Sequence, residues 1–290
     1  MMLSILCVTY NHEAYIRDAI EGFLMQKTNF AFEVLIHDDA SIDGTAEIIR
    51  KYEKKYPDLI KPIYQTENQY SKSVGISATY QFPRAKGNYI ALCEGDDYWT
   101  DPYKLQKQVD FLDANPEYAL CVHDVETIFE GVEEKDPFSL KWEKADFNFE
   151  DSLNLHFIPT LSMVFRAKYI NPIPDWFSEC MSGDIPLALI LLSKGKGRYI
   201  HEEMGVKRKN SGGVTANPER RKIKKMNFYQ MYKNLYRYTD YRYKYLFRKK
   251  LADYEISIAK DEYRGRKLLN FINFTLRSLS HDPLYFIKRR

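Results

Sequence analysis

No apolar run in this 290-residue chain is long enough to cross a bilayer. The longest, Ile185 to Leu192, has eight residues and contains Pro186, where a spanning helix needs about 20. The opening residues, MMLSILCVTYNHE, have no basic n-region, and their apolar stretch is too short for a signal peptide. The four cysteines, Cys7, Cys93, Cys121 and Cys180, are scattered without CxxC spacing. Without an export signal they read as buried free thiols and favour the cytoplasm. No GxGxxG follows the first strand, Gly195-Lys196-Gly197 lacks the spacing of a P-loop, and neither GxSxG nor HExxH occurs. The six histidines show no metal-ligand spacing, which argues against a zinc centre, and they read as structural or exposed rather than catalytic. No repeat with a period of about 20–50 residues is visible.

What is present is a folded chain with an uneven charge distribution. At 44% hydrophobic and 29% charged residues it is not intrinsically disordered, and its length allows one large domain or about two ordinary ones. The net charge of +3 hides a split. Residues 219–290 hold 20 basic and 7 acidic residues, a net +13, against 23 and 33, a net −10, in residues 1–218. A basic tail on an acidic body points to a polyanion or an anionic membrane surface as partner.

The first 130 residues alternate strand and helix. Strands are expected at Leu3–Val8, Val34–Ile36, Leu59–Tyr64, Asn88–Cys93 and Tyr118–Phe129, with helices from Ala14, at Thr45–Tyr56, Gly75–Arg84 and Tyr103–Asn115. This order implies an α/β domain with a mostly parallel sheet and helices on both faces. Glu130–Ser152 reads as a loop, Leu161–Phe165 as a strand and Ile185–Ser193 as a buried helix. Tyr199 and Ile200 read as a short strand before the glycine-rich loop at 210–215. Beyond Pro218 the composition shifts to Lys, Arg and Tyr. The domain boundary is placed there, with residues 1–218 as the catalytic domain and 219–290 as an extension of two or three helices.

In an open α/β sheet, ligands bind beyond the carboxyl ends of the strands. Glu94, Asp96 and Asp97 crowd three carboxylates into four residues at such an end. A bound cation would neutralise them, and oxygen-only ligands suit Mg2+ or Mn2+; the plain alternative is a solvated turn. Asp38 and Asp39 fit the turn before the next helix, with Ser41 or Asp43 as its cap, and equally fit hydrogen bonding to a base or ribose. Tyr10 suits packing or stacking.

These segments, SILCVTYNHEAYIRDAIEGFLMQ, VLIHDDASIDGT and AKGNYIALCEGDDYWTDPYKLQKQVDFL, resemble the inverting family 2 glycosyltransferases of GT-A fold. The match runs from residue 2 to about 130, with further blocks at MSGDIPL and NSGGVT. The resemblance implies a nucleotide-diphosphate-sugar donor, a UDP-sugar foremost. It places Thr9, Tyr10 and Asn11 at the nucleotide and Asp39 at the base. Glu94-Gly95-Asp96 stands in the DxD position with Glu for the first Asp, so Glu94, Asp96 and Asp97 are the metal candidates, and Asp96 also holds the donor. Asp184 matches the general base, although as a residue it would equally serve as a helix cap. Arg208 is retained in the donor-side loop, where Lys207 and Asn210 replace the family's Tyr and His. The implied acceptor is a saccharide or lipid-linked saccharide, and the implied setting bacterial surface polysaccharide synthesis.

The basic tail lies outside this resemblance. Leu268, Phe271, Ile272, Leu276 and Leu279 fall on one helical face, which suits a peripheral anionic membrane surface at the inner face of the cell membrane, or packing on the catalytic domain or a sister subunit in a homo-oligomer. No nucleic-acid-binding motif appears, and the acidic body would repel phosphates except through a metal. The rival enzymes are a sugar-nucleotide hydrolase and a sugar nucleotidyltransferase. The latter would want a glycine-rich basic loop where TYNHEAY stands.

Overall fold

The computed structural model describes residues 2–72, 75–129, 132–135, 142–155, 158–209 and 221–282, without the side chains of residues 2, 132–135, 221 and 222. The chain divides into two compact units: Met1–Ser178 with Gly183–Gly213, and Glu179–Ser182 with Val214–Arg290. The boundary expected at residue 218 lies outside the described residues.

Among its described residues the first unit is built on a ten-stranded sheet. Strand β1 (Met2–Thr9) is flanked in parallel by β2 (Ala31–Asp38) and β4 (Tyr89–Leu92), and β3 (Ile60–Tyr64) continues beyond β2. Leu3, Ser4, Ile5 and Cys7 are all fully buried, as expected of a strand covered on both faces. Helix α1 (Ile16–Leu24) buries Ile16, Ala19, Ile20 and Phe23. Their i, i+3, i+4, i+7 spacing forms one apolar stripe, each large side chain contributing roughly 1.5–3 kcal/mol on burial. Helix α2 (Thr45–Lys55) buries Ile49 and Tyr52 in the same way. The helix expected at 75–84 is a π-helical turn, Ser77–Gln81, running into a 3-10 turn at Phe82–Arg84. Gln81 in that turn is fully buried and donates Nε2 to the carbonyls of Cys7 (2.9 Å) and Leu35 (3.1 Å).

Beyond β4 the sheet becomes mixed. After the short strand β5 (Tyr98–Trp99) and helix α3 (Lys104–Ala114), strand β6 (Tyr118–Phe129) follows the expected bounds. Strands β7 (Val132–Lys135) and β8 (Asp146–Phe147) and helix α4 (Phe149–Asn154) occupy much of the segment read as a loop. Asn148 and Asp151 cap α4 reciprocally. Strand β9 (Val164–Arg166) is antiparallel between β4 and β6. Helix α5 (Asp184–Leu192) is buried along most of its length. The short strand expected at Tyr199 is a 14-residue strand, β10 (Lys196–Lys209), parallel to β6 and paired antiparallel with β5 and β8. Exposed His201, Glu202 and Glu203 and register shifts interrupt its apolar pattern, which is why it does not read as one element.

Among its described residues the second unit contains three helices, α6 (Arg221–Tyr238), α7 (Lys244–Arg264) and α8 (Leu268–His281). Tyr232, Leu235, Phe247, Leu251, Ala252 and Ala259 are buried within it. Tyr229 donates its hydroxyl to buried Glu255 (2.7 Å). Asn227 binds the outlying piece, accepting from the Met181 amide (2.9 Å) and donating to the Glu179 carbonyl (2.7 Å). No helix among the described residues is long and apolar enough to cross a membrane. Cys7, Cys93 and Cys121 are buried free thiols, whereas Cys180 is half-buried.

Lys104 is an unusual component of the first unit's core. It is fully buried, its Nζ lies 4.1 Å from the Trp99 ring centroid, and that nitrogen has no hydrogen-bond partner. Burial pushes its amine down to about 7, against a weaker upward influence of Cys93 and Cys121. The unfolded amine keeps its proton up to about pH 10.4. Between these values the unfolded chain binds more protons, so this group makes stability rise with pH across that window. Lys104→Met should therefore be more stable than wild type by roughly 2 kcal/mol at pH 7. The gap should close as pH approaches 10, as read by denaturant unfolding of both proteins across that range.

Candidate active site

The carboxyl ends of β1, β2 and β4 carry two loops and one acidic turn, and hydrogen bonds lace them together. The Asn11 amide donates to Ser41 Oγ (2.9 Å), and the Ile42 amide donates to Asn11 Oδ1 (2.9 Å). The His12 amide donates to Thr45 Oγ1 (2.8 Å), and the Gly44 amide to Glu13 Oε2 (2.9 Å). Asn11 and Ala40 both adopt left-handed backbone conformations, with φ of 55° and 63°, which asparagine tolerates better than alanine. Ser41 does not cap α2. Its hydroxyl bonds Asp38, while Asp43 accepts the Thr45 amide (3.0 Å).

Asp39 is almost fully buried, and its two oxygens accept from the backbone amides of Gln69 (2.7 Å) and Tyr70 (3.0 Å). His37 Nε2 lies 3.6 Å from the same carboxylate. Asp39 thus fixes the 68–70 turn beside the strand ends. Thr9 is buried, Asn11 is held by the neighbouring loop, and Tyr10 is 41% exposed, leaving its ring available to a flat ligand.

Gly95 brings the acidic turn against β1. Its amide donates to the Val8 carbonyl (2.9 Å). A β-carbon there would meet Thr9 Oγ1 at 2.5 Å and His12 Nδ1 at 3.0 Å. Neither of those two atoms has a hydrogen-bond partner. His12 Nε2 stands 3.9 Å from Asp96 Oδ2; burial pushes this imidazole down, and Asp96 opposes the shift. By sequence His12 reads, like the other histidines, as structural or exposed; the fold brings it beside Asp96.

Glu94, Asp96 and Asp97 offer carboxylate oxygens that all lie within 4.8 Å of one another. Glu94 has a solvent-exposed face, yet protein crowds it on its other sides. That crowding, followed by the charges of Asp97, Asp96 and Asp184, pushes its carboxyl up to about 8. Burial, then Asp96, pushes Asp97 up to about 7, while the Arg208 amide donating to Asp97 Oδ1 (2.8 Å) acts the other way. An all-oxygen set of mutually repelling carboxylates fits a hard divalent cation.

Two distant segments complete the crevice. Asp184, at the start of α5, accepts the Ile185 amide (2.9 Å) and lies close enough to Glu94 to raise its pKa, whereas Lys207 lowers it. Arg208, near the end of β10, donates Nη1 to the Asp96 carbonyl (3.0 Å) and Nη2 to Asp18 (2.5 Å). Its guanidinium lies 4.4 Å from the Tyr98 ring centroid and 5.2 Å from that of Tyr15. All the expected site residues from β4, α5 and β10 therefore meet near the acidic turn, and Thr9 joins them across Gly95. Asp39 lies on the β2 side, bonded to the Thr9 carbonyl through its amide (2.9 Å). Asn210 and the glycine-rich loop lie outside the described residues. Lys207 was expected in the donor-side loop, whereas His12, Tyr15 and Tyr98 were not singled out as site residues by sequence. Gly95→Ala should force the acidic turn away from β1 and cost about 1–3 kcal/mol, read as a lowered thermal midpoint with unchanged secondary structure by circular dichroism.

The family model described as Glycosyl transferase family 2 matches residues 4–171, more than half of the chain. An uncharacterized protein of Mycobacterium tuberculosis is 38% identical over 237 residues, which is 76% of this chain and 63% of that relative. The chain thus spans less than two thirds of that relative's length. The UDP-Glc:alpha-D-GlcNAc-diphosphoundecaprenol beta-1,3-glucosyltransferase WfaP of Escherichia coli is 27% identical over 230 residues, 78% of this chain and 84% of its own. Among solved structures, S. aureus TarS with UDP-GlcNAc matches with a TM-score of 0.67 at 16% identity, covering 97% of this chain and 81% of that one. The mannosyltransferase PcManGT from Pyrobaculum calidifontis, in complex with GDP-Man and Mn2+, matches at 0.58 with 14% identity, over 99% and 88%. At such identities the likeness is one of fold, the GT-A type with helices following the α/β body. With the family model covering both the strand ends and the acidic turn, the chain belongs to glycosyl transferase family 2.

Proposed function

We propose that this chain transfers a sugar from a nucleotide-diphosphate donor to an acceptor hydroxyl with inversion at the anomeric carbon. The observation that carries the reading is the meeting of Asp184 with Glu94, residues 90 positions apart, in one acidic crevice that also receives Lys207 and Arg208. Asp184 takes the proton of the acceptor hydroxyl, and the oxygen attacks the anomeric carbon from the face opposite the diphosphate. The bond from that carbon to the diphosphate oxygen breaks, and its electron pair leaves with the nucleoside diphosphate. Tyr10 presents a ring to the base, with Thr9, Asn11 and Asp39 around the nucleoside. Lys207 and Arg208 set positive charge on the diphosphate side. Glu94, Asp96 and Asp97 would hold Mg2+ or Mn2+, a divalent charge that offsets the charge of the departing diphosphate.

The names of the similar proteins support a UDP- or GDP-sugar as donor. The diphosphoundecaprenol in the name of WfaP supports a lipid-linked saccharide as the acceptor class, and bacterial surface polysaccharide synthesis is the setting we propose for it. Asp184→Asn should lower turnover by about 10²–10⁴-fold while donor binding survives, read as donor-induced thermal stabilisation in the presence of Mn2+. Turnover like that of wild type would remove Asp184 from the base role. Nucleoside diphosphate should be released only when acceptor is supplied; equal release without acceptor would identify a hydrolase instead.

A further inference from the structure

Helix α8 is seated on its neighbours by its less aliphatic side. Ser278 is fully buried and donates Oγ to the Ala252 carbonyl of α7 (3.1 Å). The Arg248 guanidinium of α7 caps the end of α8, donating to the His281 carbonyl (2.8 Å). Phe271 packs on Tyr263 with ring centroids 5.2 Å apart, and Phe274 on Tyr229 at 6.2 Å. At about 100° per residue these positions share one side of the helix.

The other side carries Leu268, Leu269, Ile272 and Leu276, which are 60%, 78%, 42% and 60% exposed. Leu268, Ile272 and Leu276 form an i, i+4, i+8 ridge, and Leu269 stands beside it. Sequence placed Phe271 on this ridge; the structure turns Phe271 inward, half-buried, and puts Leu269 in its place. Single exposed leucines are ordinary, but four contiguous aliphatic side chains on one helix mark an interaction surface.

The charge around the ridge says what kind of surface it meets. Lys260, Arg264, Arg266 and Lys267 are exposed where the chain enters α8, and Arg277 is exposed within it. Several acidic groups of the segment are turned inward. Glu255 is buried against Tyr229, Glu262 is buried and accepts from Asn270 (2.9 Å), and Asp261 pairs with Lys225. A segment of net +13 thus shows its cations and hides part of its anions. A second copy of this face would bring like charges together, whereas an anionic leaflet offers apolar depth and opposite charge at once.

We propose that α8 is a docking surface for an anionic lipid bilayer. The helix lies in the interfacial plane, with Leu268, Leu269, Ile272 and Leu276 at the acyl boundary and the flanking Lys and Arg side chains among the headgroups. This association requires neither sugar donor nor metal, so it stands or falls separately from the proposed reaction.

The test is co-sedimentation of the full chain with vesicles of phosphatidylcholine alone and of an equal mixture of phosphatidylcholine and phosphatidylglycerol. Wild type should bind the mixed vesicles, more weakly as salt is raised, and should bind the neutral ones at least about tenfold less. The triple variant Leu269→Glu, Ile272→Glu, Leu276→Glu should lose at least about tenfold in partitioning, with circular dichroism and thermal midpoint unchanged. Arg264→Gln with Arg266→Gln and Lys267→Gln should lose about tenfold to a hundredfold on mixed vesicles. Absence of wild-type binding to mixed vesicles, or equal binding by the Glu variant, would overturn the proposal. So would a wild-type dimer that the Glu variant converts to monomer in light scattering, since the ridge would then belong to a second copy.

Discussion

Three carboxylates held within four residues at the end of β4 repel one another, and much of the surrounding architecture can be read as a response to that repulsion. Asp97 is buried deeply enough that its carboxyl is pushed up to about 7, and Glu94 is pushed up to about 8. The backbone amide of Arg208 is bonded to Asp97, and the Arg208 side chain crosses the turn to Asp18. To deliver that residue, β10 runs 14 residues alongside β6 and pairs with β5 next to the acidic turn. On the other side, Gly95 lets the turn approach β1 so closely that a methyl group would meet Thr9. The turn is thus fixed by the Arg208 amide on one side and by its close approach to Thr9 and His12 on the other.

The charge split of the chain follows the same physics. In the first unit, negative charge collects at the strand ends, where loops and helix starts can hold it without filling the core with anions. The core beneath tolerates one cation, Lys104, and only by driving its amine toward neutrality over Trp99. In the second unit, acidic groups such as Glu255 and Glu262 are buried among Tyr and Asn side chains, whereas Lys260, Arg264, Arg266, Lys267 and Arg277 are exposed. One unit therefore presents anionic side chains at its strand ends, and the other presents cations and aliphatic side chains to its surroundings.

Local pattern made most of the α/β body legible. Apolar alternation and the 3.6-residue stripe located β1 through β4, α1 to α3 and α5 to within a few residues, because each buries a periodic face. The same method failed at β10, whose outer positions are charged and whose register slips, and at 130–152, where β7, β8 and α4 are short and stand among polar residues. It also misjudged Phe271. Period alone groups it with Ile272 and Leu276, but aromatic partners on the neighbouring helices draw it to the packed side of α8.

The sequence by itself determined the chemical types of the candidate site: an acidic triplet at a strand end, an aspartate before an apolar helix and an arginine before a glycine-rich stretch. It also carried the family resemblance and the opposed charges of its two parts, since composition and spacing are local properties. Only the tertiary structure decided that Asp184 comes near enough to Glu94 for its charge to act on it, that His12 stands beside Asp96, and that Arg208 is held between Tyr15, Tyr98 and Asp18. Such meetings depend on sheet order and strand register, which arise from pairings between segments far apart in the chain and leave no periodic trace in any one of them.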